Sequence, residues 1–222
     1  MKLSANLLIV LGLATAVAAF GDDNSANPQP ITSQAFVWGA GLGGMKEIQL
    51  GHLAEQKSTN TEVMAFAKRM VRDHSKLNEK LEKIAEQEGL YFPPTNTFSL
   101  QAASLNQWTN LWDQSSAGPG SENMKGAEEL MVELHSPTNT DWLSIQTLEG
   151  LQGPQFDIAY ANQMVVDHTK AIDTFELATN LPDKALQKFA EKTLPTLREH
   201  YRMAQDLQSR LNGTQSTNSS GM

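Results

Sequence analysis

The stretch VMAFAKRMVRDHSKLNEKLEKI, residues 63–84, decides the fold. Its apolar residues Val63, Phe66, Ala67, Met70, Leu77, Leu81 and Ile84 recur at helical steps, which lines them along one face turned to a core. His74 stands inside that series, between Met70 and Leu77, so the apolar stripe carries an imidazole inward. Thr59 and Glu62 are spaced to form a capping box at the start, and Gly89 followed by Pro93-Pro94 stops the helix.

A near-copy lies downstream. Met70-Val71-Arg72-Asp73-His74 returns as Met164-Val165-Val166-Asp167-His168, within a stripe of Ala161, Met164, His168, Ala171, Ile172 and Phe175 that begins after Gly153-Pro154. A further helix opens near Asn180 and Pro182. Its stripe runs Leu186, Ala190, Leu194, Leu197, Ala204, Leu207 and Leu211 to Asn212-Gly213, with Pro195 predicting a kink just before His200. The first helix, Thr32 to Lys57, contains Gly39, Gly41, Gly43 and Gly44, each costing about 1 kcal/mol relative to Ala in a helix interior. Close approach of a neighbouring backbone is the expected compensation. A phosphate loop is excluded, because Met45 separates Gly44 from Lys46 and no Ser or Thr follows the lysine.

Short joins around residues 58–60 and near Asn180 make each helix pair an antiparallel hairpin. The long link between the pairs permits a crossover. The expected fold is all-α, a ferritin-like four-helix bundle over residues 33–212 with a long helical crossover between helices two and three. Within that link, Ser99–Trp112, Glu122–Leu134 and Asp141–Leu151 carry weak helical patterns, with Trp108, Trp112 and Trp142 as contact residues.

At the start, Lys2 precedes an apolar run from Leu7 to Ala19 with small residues Ala16, Ala18 and Ala19, the pattern of a signal peptide over residues 1–19. That run is shorter than the roughly 20 residues a spanning helix needs, and no other stretch could cross a membrane. Residues 20–32 read as a flexible lead-in and 213–222 as a disordered tail. The expected location is therefore the periplasm or the extracellular space. No cysteine is present, so neither disulfides nor a lipidated Cys can contribute. With 17 basic against 25 acidic residues and a net charge of −8, nucleic acid is not an expected partner; a second copy of the chain stays open as one.

His74, His168 and His200 fall on inward faces of three helices. On the first helix the series Phe36, Ala40, Gly43, Glu47, Leu50, Ala54 turns Glu47 inward, while a phase through Val37, Met45 and Ile48 favours His52 instead. Four imidazole or carboxylate residues from four helices are the means by which bundles build interior metal sites, here for one transition-metal ion: iron, manganese, zinc or copper. Asp73 and Asp167 are candidates to hold a histidine on a neighbouring helix, and Met70 and Met164 enter as ligands only for copper. The competing reading is a hydrogen-bonded polar core without metal.

Catalytic patterns are absent. Three residues before the five histidines stand Gln49, Val71, Val132, Val165 and Leu197, so the Glu-x-x-His motif of di-iron bundles is missing. There is no Gly-x-Ser-x-Gly elbow, and the chain reads as a binding or interaction module rather than an enzyme. His135, beside Ser136-Pro137, reads as a loop residue.

The set Phe36-Val37, Glu47-Ile48, Gly51, Leu53-Ala54, Phe66-Ala67, Met70-Val71, Asp73-His74, Phe156-Asp157, Tyr160, His168 and Leu194-Pro195-x-Leu197-x-x-His200 resembles domain of unknown function 4142. The resemblance covers about 33–90 and 148–211. It implies a ferritin-like bundle, export and no established activity, with Glu47, His74, His168 and His200 as motif positions. Residues 95–140 look longer than the crossover usual in that family. Its common outer-membrane label finds no support in a chain without strands or lipidation.

Overall fold

The computed structural model describes residues 31–93 and 139–219, and among them every regular element is a helix. These are α1 Ser33–Lys57, α2 Thr61–Gln87, α3 Asn139–Gly150, α4 Gly153–Ala178 and α5 Lys184–Ser219. The expected signal peptide, nearly all of the lead-in, and the crossover through residue 138, including Trp108, Trp112 and His135, lie outside the described residues.

Helix ends follow local chemistry. The Thr32 hydroxyl accepts from Ala35 N, and Asn60 Oδ1 accepts from Glu62 N and Val63 N. Asn60, not Thr59, therefore caps α2, and the expected capping box does not form. Asp183 Oδ1 caps α5 through Ala185 N and Leu186 N, which places its start at Lys184, beyond the expected Asn180 and Pro182. Gly89 ends α2 at φ 66, the left-handed conformation that suits glycine. Gly213 does not take up that conformation, and α5 runs through it to Ser219, where a disordered tail was expected. The lead-in is likewise shorter than expected, because Ile31 is buried in the core. Pro195 lies inside α5 without ending it, its ring on the exposed side.

Helix α1 packs along α2 and α4 along α5, and the pairs join through α1 with α4 and α2 with α5. Every one of these contacts is antiparallel. Phe36 meets Phe175 and Lys46 meets Asp167 between α1 and α4; Glu62 meets Arg210 and Arg69 meets Glu199 between α2 and α5. Helices α2 and α4 both oppose α1 and so run parallel, the relation found in crossover bundles and not in up-down-up-down ones. The crossover topology follows from these directions. Its last part, α3, sets Ile145 and Leu148 against the bundle, and Lys57 Nζ donates to the carbonyls of Glu149 and Leu151.

Gly44 and Gly51 of α1 serve the α1–α2 contact. A Cβ on Gly44 would come within 2.1 Å of Asn78 Oδ1, and one on Gly51 within 2.6 Å of Val71 Cγ2. Asn78 is buried and its Nδ2 donates to Gly41 O at 3.1 Å, so it cannot swing away without cost. Gly44→Ala is expected to destabilise the bundle by about 1–3 kcal/mol through overpacking. Gly43 faces open space, and Gly43→Ala should stabilise by about 0.5–1 kcal/mol through helix propensity. Urea unfolding of the two variants checks the opposite signs.

The apolar core is in two parts. One end holds Phe36, Leu42, Met45, Leu81, Phe175, Leu186 and Leu197; the other holds Leu50, Val63, Phe66, Met70, Tyr160, Met164 and Leu207. On each long helix a buried polar residue stands where one part gives way to the other: Glu47 on α1, His74 and Asn78 on α2, His168 on α4, His200 on α5. The contacts of Gly44 with Asn78 and Gly51 with Val71 bracket Glu47 and His74, which puts those two at one height. A single polar layer thus crosses the middle of the bundle.

Candidate metal centre

Within that layer His74, His168 and His200 converge from α2, α4 and α5. Their ring centroids are 5.4, 5.4 and 5.6 Å apart, and one ligand nitrogen from each lies within 4.8 Å of the others. None is more than 6 % exposed.

Hydrogen bonds leave one ring nitrogen of His168 and one of His200 with a free lone pair. His168 Nδ1 lies 2.8 Å from Met164 O, and since a carbonyl only accepts, Nδ1 carries the proton and Nε2 keeps its lone pair. His200 Nε2 lies 3.0 Å from Asp73 Oδ2 and donates to it, leaving the lone pair on Nδ1. His168 Nε2, His200 Nδ1 and His74 Nε2 are buried and have no protein partner. Burial holds all three histidines below their ordinary pKa, with the mutual repulsion of the rings adding to it at His74 and His168; His168 falls to about 4. Neutral imidazole is the form that binds a metal.

Asp73 anchors the outer side. Burial would raise its carboxyl, but hydrogen bonds from Arg72 and His200 outweigh that and bring it down to about 2. Arg69 Nε reaches the same carboxylate at 3.3 Å while its Nη2 holds Glu199 at 2.8 Å, tying α2 to α5 beside His200.

The other candidates take different places. Glu47 is buried and His52 is exposed beside Glu55, so α1 turns Glu47 inward, although Val37 and Met45 of the other series are buried too and Gly43 is exposed. Glu47 is not grouped with the three histidines; its carboxyl lies within hydrogen-bonding reach of Asp167. Asp167 holds no histidine: its Oδ1 receives Lys46 Nζ at 2.8 Å and Gln163 Nε2 at 2.9 Å. The two Asp-His copies therefore differ in partner, because the helix beyond Asp73 presents His200 while the helix beyond Asp167 presents Lys46 and Glu47. Met70 and Met164 are wholly buried in the apolar part that contains Phe66 and Tyr160. Tyr160, which the sequence offers as part of the family resemblance and not as a candidate ligand, precedes Met164 and His168 at steps of four on the same stripe.

The sequence matches the family model of Domain of unknown function (DUF4142) over residues 18–117 and 121–207. The chain belongs to that family. No curated protein matches it. Among solved structures, a DUF305 protein from Streptomyces coelicolor, titled as a secreted protein, is similar in fold at 11 % identity and a TM-score of 0.58. The similarity covers 80 % of this chain and 92 % of that one. DUF4142 names no activity, so the functional reading rests on the geometry of the layer. No helix of the described residues is long and apolar enough to cross a membrane.

Proposed function

We propose that this DUF4142 protein is an exported metal-binding bundle that holds one transition-metal ion on His74 Nε2, His168 Nε2 and His200 Nδ1. The carrying observation is the convergence of three buried histidines, each with a ring nitrogen that has no partner. A buried acceptor without a partner costs about 1–3 kcal/mol, and three of them in one place are offset together by a single ion. Binding would draw the nitrogens toward the separation of about 3.3 Å that a tetrahedral ion with bonds of about 2.0–2.1 Å requires. An all-imidazole donor set favours zinc and copper over manganese. Three protein ligands leave a fourth position for water or another small ligand.

The Met164 carbonyl and Asp73 supply the outer hydrogen bonds that fix which nitrogen of His168 and His200 faces the ion. Asp73→Ala is expected to weaken retention about 10–100-fold without abolishing it, as read by competition with a chromophoric chelator. The reading itself is tested by equilibrating purified protein with zinc, copper, iron and manganese, separating free metal and measuring what remains. About one zinc or copper per chain is expected. No ion retained near that ratio would leave a hydrogen-bonded core, in which Asp73 and Met164 each satisfy one histidine, as the better description.

A further inference from the structure

We propose that Glu47, Asp167 and Tyr160 form a second cation site beside the histidine centre, suited to a hard divalent ion such as manganese(II), at the position the Lys46 ammonium now serves. The proposal does not rest on the histidine reading. Glu47 Oε2, Asp167 Oδ2 and the Tyr160 hydroxyl are all buried oxygens that receive no hydrogen bond from a donor, and the Tyr160 hydroxyl donates none. Glu47 is 5 % and Tyr160 0 % exposed, and the Asp167 side chain 10 %. The carboxyls of Glu47 and Asp167 lie side by side, and Glu47 is the charge that bears most strongly on the Tyr160 phenol. The phenol itself is fixed in the core, its ring stacked on Phe156 and edge-on to Phe66.

Two carboxylates and a phenol are hard oxygen donors, the set that suits manganese(II), magnesium or calcium rather than copper. Burial pushes the Glu47 carboxyl well above its ordinary range and Asp167 pushes it further, with only Lys46 opposing, so the cluster gains from positive charge. A proton on Glu47 would pair it with Asp167 but would leave the Tyr160 oxygen unpaired. A divalent ion meets all three oxygens at once and releases that proton. Lys46 sits 2.8 Å from Asp167 Oδ1 on a flexible stem whose side chain is 14 % exposed. It acts as a tethered cation that an incoming ion displaces.

The test uses purified protein given one equivalent of zinc and then titrated with manganese(II), with the free aquo ion followed by electron paramagnetic resonance. Wild type is expected to take up about one manganese per chain, and Glu47→Gln to lose that uptake. Lys46→Ala should bind manganese about tenfold more tightly, since it removes a competing cation without touching the oxygen donors. A merely structural cluster does not predict this gain. Circular dichroism confirms that each variant is folded, and Lys46→Ala keeps the test open if Glu47→Gln is not. No manganese uptake by wild type or Lys46→Ala, or uptake unchanged in folded Glu47→Gln, would overturn the proposal and identify the cluster as a protonated acid pair only. Zinc uptake is read first. A chain that refuses zinc but takes manganese through Glu47 removes the histidine reading and keeps this one, and the reverse outcome does the opposite.

Discussion

The His74→Ala, His168→Ala double variant is expected to retain no zinc after dialysis and to melt at the same temperature with and without zinc. Wild type, by contrast, should gain about 2.7–4.1 kcal/mol when free zinc exceeds its dissociation constant 100- to 1,000-fold. For a domain of this size that is a rise of roughly 10 °C in Tm, reversed by a chelator. His200 alone cannot replace the missing pair, because one imidazole offers one bond where three converge. The double change also opens space between α2 and α4 but removes two partnerless nitrogens, so part of its packing loss is offset. Comparison of the variant with chelated wild type isolates that packing term. Zinc retention equal to wild type, or a zinc-dependent Tm in the variant, would be incompatible with the proposed centre.

Acid should loosen the metal-free bundle in two stages. His168 has a folded pKa of about 4 against an ordinary value of 6.5, so above 6.5 it is neutral in both states and contributes no pH dependence. Between 6.5 and 4 the unfolded chain takes up a proton that the buried ring refuses. Stability falls across that window by on the order of 3 kcal/mol from His168 alone. His74 and His200 are shifted in the same direction and steepen the fall. Asp73 acts later: its folded pKa of about 2 lies below the ordinary 3.8, so its stabilisation is present above 3.8 and is lost as pH drops toward 2. Urea midpoints from pH 8 down to 3.5 measure the first stage. The decline should begin near 6.5 and flatten in His168→Ala, and excess zinc should raise the midpoint without moving that onset, which the unfolded chain sets. A midpoint constant between pH 7 and 4.5 would show that the histidines are not held neutral by the fold.

The helices and their inward faces were legible because α2, α4 and α5 repeat apolar residues at the helical period, and each imidazole occupies a stripe position. The pairing of helices was legible from short joins and the long link. What could not be read is which neighbour lies across a given face. Asp73 and Asp167 stand in the same local string, yet one meets His200 and the other Lys46, because that depends on where α5 and α1 pack. The Glu47 phase of α1 had a competitor through Val37 and Met45 because its glycines blur the apolar stripe; residues of both series are buried, and the fit of Gly44 and Gly51 against α2 brings Glu47 inward with them. Helix ends differed for similar reasons. Asn60 competes with Thr59 for the same cap, and Gly213 stops a helix only if it turns left-handed, which it does not.

The polar layer between the two halves of the core also fixes how the helices can be threaded. Apolar packing alone tolerates a hairpin sliding by one helical turn, about 5.4 Å, because a leucine can replace a leucine in the next groove. Here such a slip would carry His200 away from Asp73 and strand Lys46 from Asp167 inside hydrocarbon. Each misplaced group would lose its partner while staying buried, a penalty that rises with every helix out of step. The layer thus acts as a vernier for assembly: before any ion arrives, it selects the one alignment in which three lone pairs meet.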